Sequence, residues 1–156
     1  MYVYIPPVDP DKRYNGLTSQ SIGYRLTTPD LREMQEAVGG LVLPVELGID
    51  GISAYVNDEG KYTEMPNHLA TLIAHRCRAL LPGDWIAGTM LIVGFNAVAG
   101  ETTDLPQWLQ SAQAVHGLGR GSGDSNYLDR MPDMQALYED YRYLHMPDDA
   151  PLRESR

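Results

Sequence analysis

The sequence predicts an α+β fold: a mainly antiparallel sheet of four or five strands covered by two helices, with a C-terminal helical extension. Three observations carry this prediction. Short stretches near residues 2–5, 41–45 and 52–56 alternate apolar and polar side chains and are bounded by Pro, Gly, Asn and Asp. Between and after them, residues 29–38 and 68–81 repeat apolar positions every three or four residues, the spacing of a helix face. The run Ile86-Ala87-Gly88-Thr89-Met90-Leu91-Ile92-Val93-Gly94-Phe95 is continuously apolar but short, which suits a central strand buried on both faces.

Tyr2-Val3-Tyr4-Ile5 reads as the first strand, halted by Pro6-Pro7, which have no N–H to donate. Ile22-Gly23-Tyr24-Arg25-Leu26 reads as a short second one. Thr28 at the N-cap and Pro29 at the first helical position open a helix with Leu31, Met34, Gln35 and Val38 on one face. Gly39 supplies its left-handed stop. Strand alternation follows, with Leu41, Leu43 and Val45 on one side, and resumes at Ile52-Ser53-Ala54-Tyr55-Val56. Asn57-Asp58-Glu59-Gly60 reads as a hairpin turn, with Lys61-Tyr62-Thr63 pairing back.

Asn67 is the expected N-cap of a second helix over 68–81, with Leu69, Leu72, Ile73, Arg76, Cys77 and Leu80 on its inner stripe. Asp104-Leu105-Pro106 starts a further helix carrying Trp108, Leu109, Ala112 and Val115. The expected organisation is a compact domain over 1–116, a Gly-rich linker over 117–132 and a helical tail over 133–156 with a solvated terminus.

Composition narrows the function classes. The apolar fraction of 43% supports a real core. The net charge is −9, with an excess of −5 before Gly123 and −4 after it, so no acidic tail accounts for it. Direct nucleic-acid binding is disfavoured, since phosphate contacts need clustered Lys and Arg. Cys77 is the one cysteine, which leaves no disulfide framework. No apolar run is long enough for a membrane span, and no leader pattern opens the chain, so the cytoplasm is the expected compartment.

No cofactor or metal is expected. His68 and His75 lie seven apart on one helix, about 10 Å along its axis, too far to share an ion. Both are expected to be partly exposed. Gly117-Leu118-Gly119-Arg120-Gly121-Ser122-Gly123 follows a helix and lacks the phosphate-loop lysine, so it reads as a linker. Cys77 falls on an apolar stripe, where a thiol is inert. No catalytic residue is assigned.

Two sets of residues can bind something. Asn57, Glu59, Asn67 and Asp84 can converge on a polar pocket at one end of the sheet, although turn and capping bonds account for the same side chains locally. Met134, Leu137, Tyr138, Tyr141 and Leu144 line one face of the final helix, with the two tyrosines as anchors if that face meets a partner.

One set of residues resembles a known pattern: Leu31-x-x-x-Gln35-x-x-Val38-Gly39-Gly40, Val56-Asn57-x-Glu59-Gly60-Lys61, Pro66-Asn67-x-x-Ala70 and Asp84-x-x-Ala87-Gly88-Thr89-x-x-Ile92-Val93-Gly94. In this order they resemble an uncharacterised domain family found in actinobacterial phages and related mobile elements, across about residues 31–104. The resemblance implies a small α/β domain and a phage setting, and brings no established activity. The leading expectation is therefore a non-enzymatic phage-type accessory protein that binds and modulates a host protein, or pairs with a second copy of itself. Two alternatives are a binder of a nucleotide signal, using Lys61, Arg76 and Arg78 for phosphates, and an acidic mimic of DNA.

Overall fold

The computed structural model describes residues 1–9, 22–118 and 127–145. Its elements run β1 (Tyr2–Ile5), β2 (Gly23–Arg25), α1 (Leu31–Val38), β3 (Val42–Val45), β4 (Ile52–Asn57), α2 (Gly60–Thr63), α3 (His68–Arg76), β5 (Met90–Asn96) and β6 (Glu101–Thr103). A 3-10 turn (Gln107–Leu109), α4 (Ala112–Leu118), α5 (Tyr127–Arg130) and α6 (Met134–Leu144) follow. The fold is α+β, as the sequence predicts, and the described strands form one six-stranded sheet. Its order is β2-β1-β5-β4-β3, with β6 also paired to β5, and every pairing is antiparallel.

β5 is the centre, because the continuous apolar run can be buried on both faces only there. Val3 of β1 and Ala54 of β4 both pair with Ile92. Leu91 and Val93 face the cluster under α1, with Tyr2, Met34 and Val38. Met90 and Ile92 face the larger cluster under α3, with Val45, Ala54, Val56 and Ile73. Burying each large aliphatic chain here stabilises the fold by roughly 1.5–3 kcal/mol. Gly94 is required by contact: a Cβ there would lie 2.0 Å from the Asp104 carbonyl oxygen, where β6 folds back.

Four expectations need correction. The N-cap of α1 is Asp30, which accepts from the Glu33 N–H at 2.8 Å, and not Thr28. Thr28 instead directs its hydroxyl to Asp104, and Leu31, now the first helical residue, faces outward. The stretch 57–63 is no hairpin. Asn57 accepts from the Glu59 N–H at 2.8 Å, and the chain then makes the short helix α2. A Cβ on Gly60 would lie 2.6 Å from the Ala87 oxygen, so this glycine lets α2 lie against the segment before β5.

Third, α3 stops at Arg76 and not at Leu81. Arg78 takes the left-handed conformation (φ 56°), its N–H donates to the His75 carbonyl, and the Ala79 N–H reaches back to Ala74 at 2.8 Å. That is a Schellman stop made without glycine. Fourth, β6 was not anticipated. Three polar-rich residues gave no run to detect, but Asn96 closes the preceding turn by accepting from the Val98 and Ala99 N–H groups.

Beyond residue 118, α5 and α6 are tied to the rest of the described chain. Arg130 donates to the Leu80 carbonyl at 2.6 Å and accepts from the Gly83 N–H at 2.7 Å. Arg142 of α6 meets Asp9 at 3.4 Å. Within the expected linker, residues 119–126 lie outside those described, as does the terminus from residue 146.

Candidate functional site

The early stop of α3 has a spatial consequence. Leu43 and Val45 of β3 lie opposite Val56 and Ala54, so all four side chains point to the α3 face of the sheet. Nine residues of helix cover the middle of that face and leave the outer strand incompletely roofed. What remains is an open groove of about 380 Å³, within the usual range for ligand-sized sites. Leu43, Val45 and Val56 contribute to its apolar floor, α2 forms one wall, and Ala79, Leu80 and the Asp84–Trp85 segment form the other.

Its outer boundary is the open edge of the sheet. The Asp58 N–H donates to the Leu41 carbonyl, which makes Val42–Asn57 a non-hydrogen-bonded pair and, two residues on, Pro44–Tyr55 another. Pro44 therefore directs its ring nitrogen away from β4, where its missing N–H breaks no ladder bond and blunts the edge against strand addition. Leu43 remains 49% exposed and Tyr62 82% exposed at the rim.

The far wall is braced by polar bonds from α3. Asn67 is fully buried; its amide donates to the Ile5 and Gly88 carbonyls at 2.8 Å each, and its oxygen caps α3 at the Ala70 N–H. One turn on, the Thr71 hydroxyl accepts from the Ile86 N–H at 3.0 Å. A further turn along, His75 approaches the Asp84 carbonyl oxygen through Nε2 at 2.7 Å. A carbonyl can only accept, so this nitrogen carries the proton. His75 is 1% exposed, against the expectation of partial exposure; the signal was its place four residues after Thr71 on the buried face.

At the mouth, the Lys61 ammonium pairs with the Asp84 carboxylate and sits 4.5 Å from the centre of the Trp85 ring. Asp84 also accepts from the Trp85 N–H. Glu46 and Asp58 add two carboxylates to the lining. Cys77, the C-cap of α3, has its thiol pushed up by burial, so its nucleophilic form is suppressed.

Of the four polar residues singled out in the sequence, Asn57 and Asp84 line this groove, and Glu59 and Asn67 do not. The Asn57 side chain is bonded within the chain, donating to the Val38 carbonyl and accepting from Glu59. Sequence reasoning assigns none of Trp85, Leu43 and Tyr62 to a site: Leu43 reads as a strand residue, Tyr62 as part of a returning hairpin arm, and Trp85 stands outside the predicted elements. On α6, Met134 is buried and Tyr138 is 4% exposed; Leu137 and Tyr141 are half-buried, and Leu144 is 74% exposed. No group of three or more metal-ligating side chains is found among the described residues, and no described helix is long and apolar enough to cross a membrane.

Comparison with known proteins adds one relation. No curated protein and no solved structure matches the chain. The profile of a domain of unknown function, DUF3846, matches residues 5–116, a span that contains the whole groove and exceeds the expected 31–104 at both ends. The chain belongs to the DUF3846 family.

Proposed function

We propose that this protein is a non-enzymatic accessory protein of phage type that binds and modulates a host protein in the cytoplasm, and that the groove over β3 is its docking surface. One observation carries the choice of a protein partner over a small ligand: the groove is open with an apolar floor, while the Asn57 amide, the Lys61 ammonium and the Asp84 carboxylate on its lining are already bonded within the chain. Small-ligand sites need convergent polar groups free to orient the ligand. Here Asn57 is bonded to Val38 and Glu59, and Lys61 and Asp84 are bonded to each other. Exposed Leu43 and Tyr62 beside a partly buried Trp85 instead supply the aromatic and aliphatic anchors typical of protein interfaces.

The test is native mass spectrometry of the full chain expressed in its own host and captured gently, beside the Leu43→Asp variant. The reading expects a stoichiometric host polypeptide with the wild-type chain and its loss with the variant, both remaining folded. A polypeptide retained by Leu43→Asp contradicts the groove as docking surface. A chain carrying only a small extra mass contradicts the protein-partner reading and favours a ligand.

A further inference from the structure

We infer that the segment docking in the groove is basic and apolar by turns, and that Lys61 occupies in the free protein the place of a partner's arginine. This deepens the docking proposal and rests on it. The mouth of the groove holds a carboxylate, Asp84, beside an aromatic face, Trp85, and the chain's own ammonium sits between them. That arrangement is the chemistry that recognises an organic cation. Lys61 shows that a cation is accommodated there, and its half-exposed side chain can swing away into solvent.

An incoming arginine would do better on both counts. A guanidinium stacks on an indole face and meets a carboxylate with two parallel N–H bonds, whereas an ammonium acts as a point charge. Glu46 and Asp58, on the same lining, form no ion pair among the described residues, and the chain as a whole carries −9. Among the described lining residues Lys61 is the one basic side chain, so a displaced Lys61 leaves that lining with negative charge alone. Apolar residues alternating with the basic ones would lie over Leu43 and Tyr62. An acidic or phosphorylated segment is opposed by these carboxylates.

The experiment titrates the full chain with a short blocked peptide of alternating arginine and leucine, with its glutamate-for-arginine counterpart and with arginine amide alone. Calorimetry is read alongside tryptophan fluorescence in a Trp108→Phe background, where Trp85 is the reporter. Removing the competing internal cation in Lys61→Ala should tighten the arginine–leucine peptide about two- to fivefold. Lys61→Gln, which keeps the stem over the ring, serves if the alanine variant melts early. The double variant Glu46→Gln, Asp58→Asn should weaken the peptide and flatten its loss of affinity with salt.

Equal or weaker binding by both Lys61 variants overturns the inference, as does equal binding of the glutamate peptide. Arginine amide binding as tightly as the peptide would show a small-cation site and overturn the partner-segment assignment. A natural partner lost by Leu43→Asp but unaffected by the Lys61 and carboxylate substitutions would leave the docking proposal standing and refute this one.

Discussion

α1 and α3 lie on opposite faces of one sheet, and each ends where a residue enters the left-handed region. α1 does so with Gly39, φ 81°; the Gly39 and Gly40 N–H groups both return to the Gln35 carbonyl. α3 does so with Arg78, φ 56°, closing on Ala74 and His75. The first stop is written in the sequence, because glycine there costs no Cβ strain and is rare elsewhere in a helix. The second is not, because an arginine in a region with leucines at helical spacing reads as continuation. Tertiary bonds override that reading: Thr71 and His75 hold the inner face of α3 to the segment at residues 84–86, and the intervening chain must turn back to reach it. The groove over β3 exists because of that difference.

The same contrast explains what else was legible. The Asn67 cap is legible because its bond to the Ala70 N–H is local, although its amide also reaches the distant Ile5 and Gly88 carbonyls. The central strand was legible from its unbroken apolar run. The α1 cap at Asp30 and the Asn57–Glu59 turn differ from the reading through local bonds, while the remaining differences depend on residues far apart in sequence. Gly60 looks like a turn glycine, but it is demanded by the backbone of Ala87. His75 looks like a surface histidine, but its partner is the carbonyl of Asp84. Arg130 lies beyond the family match and inside an expected linker, yet it pins the wall of the groove at Leu80 and Gly83.

Breaking the anchor of α3 should have the largest effect. Asn67→Ala leaves two buried carbonyls without their donor and removes a cap, and should cost about 3–5 kcal/mol in urea unfolding. A cost below about 1 kcal/mol would mean the Asn67 bonds do not hold α3 in place. His75→Ala removes the next brace and leaves a cavity, and should cost about 2–3 kcal/mol by the same measurement. Its partner binding should weaken as well, since the Asp84 wall loses its support.

The two caps respond in opposite directions. Gly39→Ala forces a side chain into the left-handed region and should destabilise by about 1 kcal/mol. Arg78→Gly relieves that conformation and should stabilise by about 0.5–1 kcal/mol, read as a rise in melting temperature. If both substitutions shifted stability the same way, the two stops would not be equivalent in conformation.

The smallest effect concerns Cys77 at the end of α3. Burial raises its thiol, so the folded chain resists ionisation that the unfolded chain undergoes. Its contribution to stability is therefore intact below the ordinary thiol range and declines as pH rises past about 8.5. Urea midpoints for the wild type should fall across that window more steeply than those of Cys77→Ala. Identical slopes would place the thiol in solvent.

Amide hydrogen exchange on the purified complex, against the chain alone, tests the proposed docking surface most directly. Docking in the groove should slow exchange at residues 42–46, 58–62 and 79–87, around the floor and both walls. Slowing confined to the α6 helix at Met134–Leu144, with the groove unchanged, would contradict it and move the binding surface to the tail.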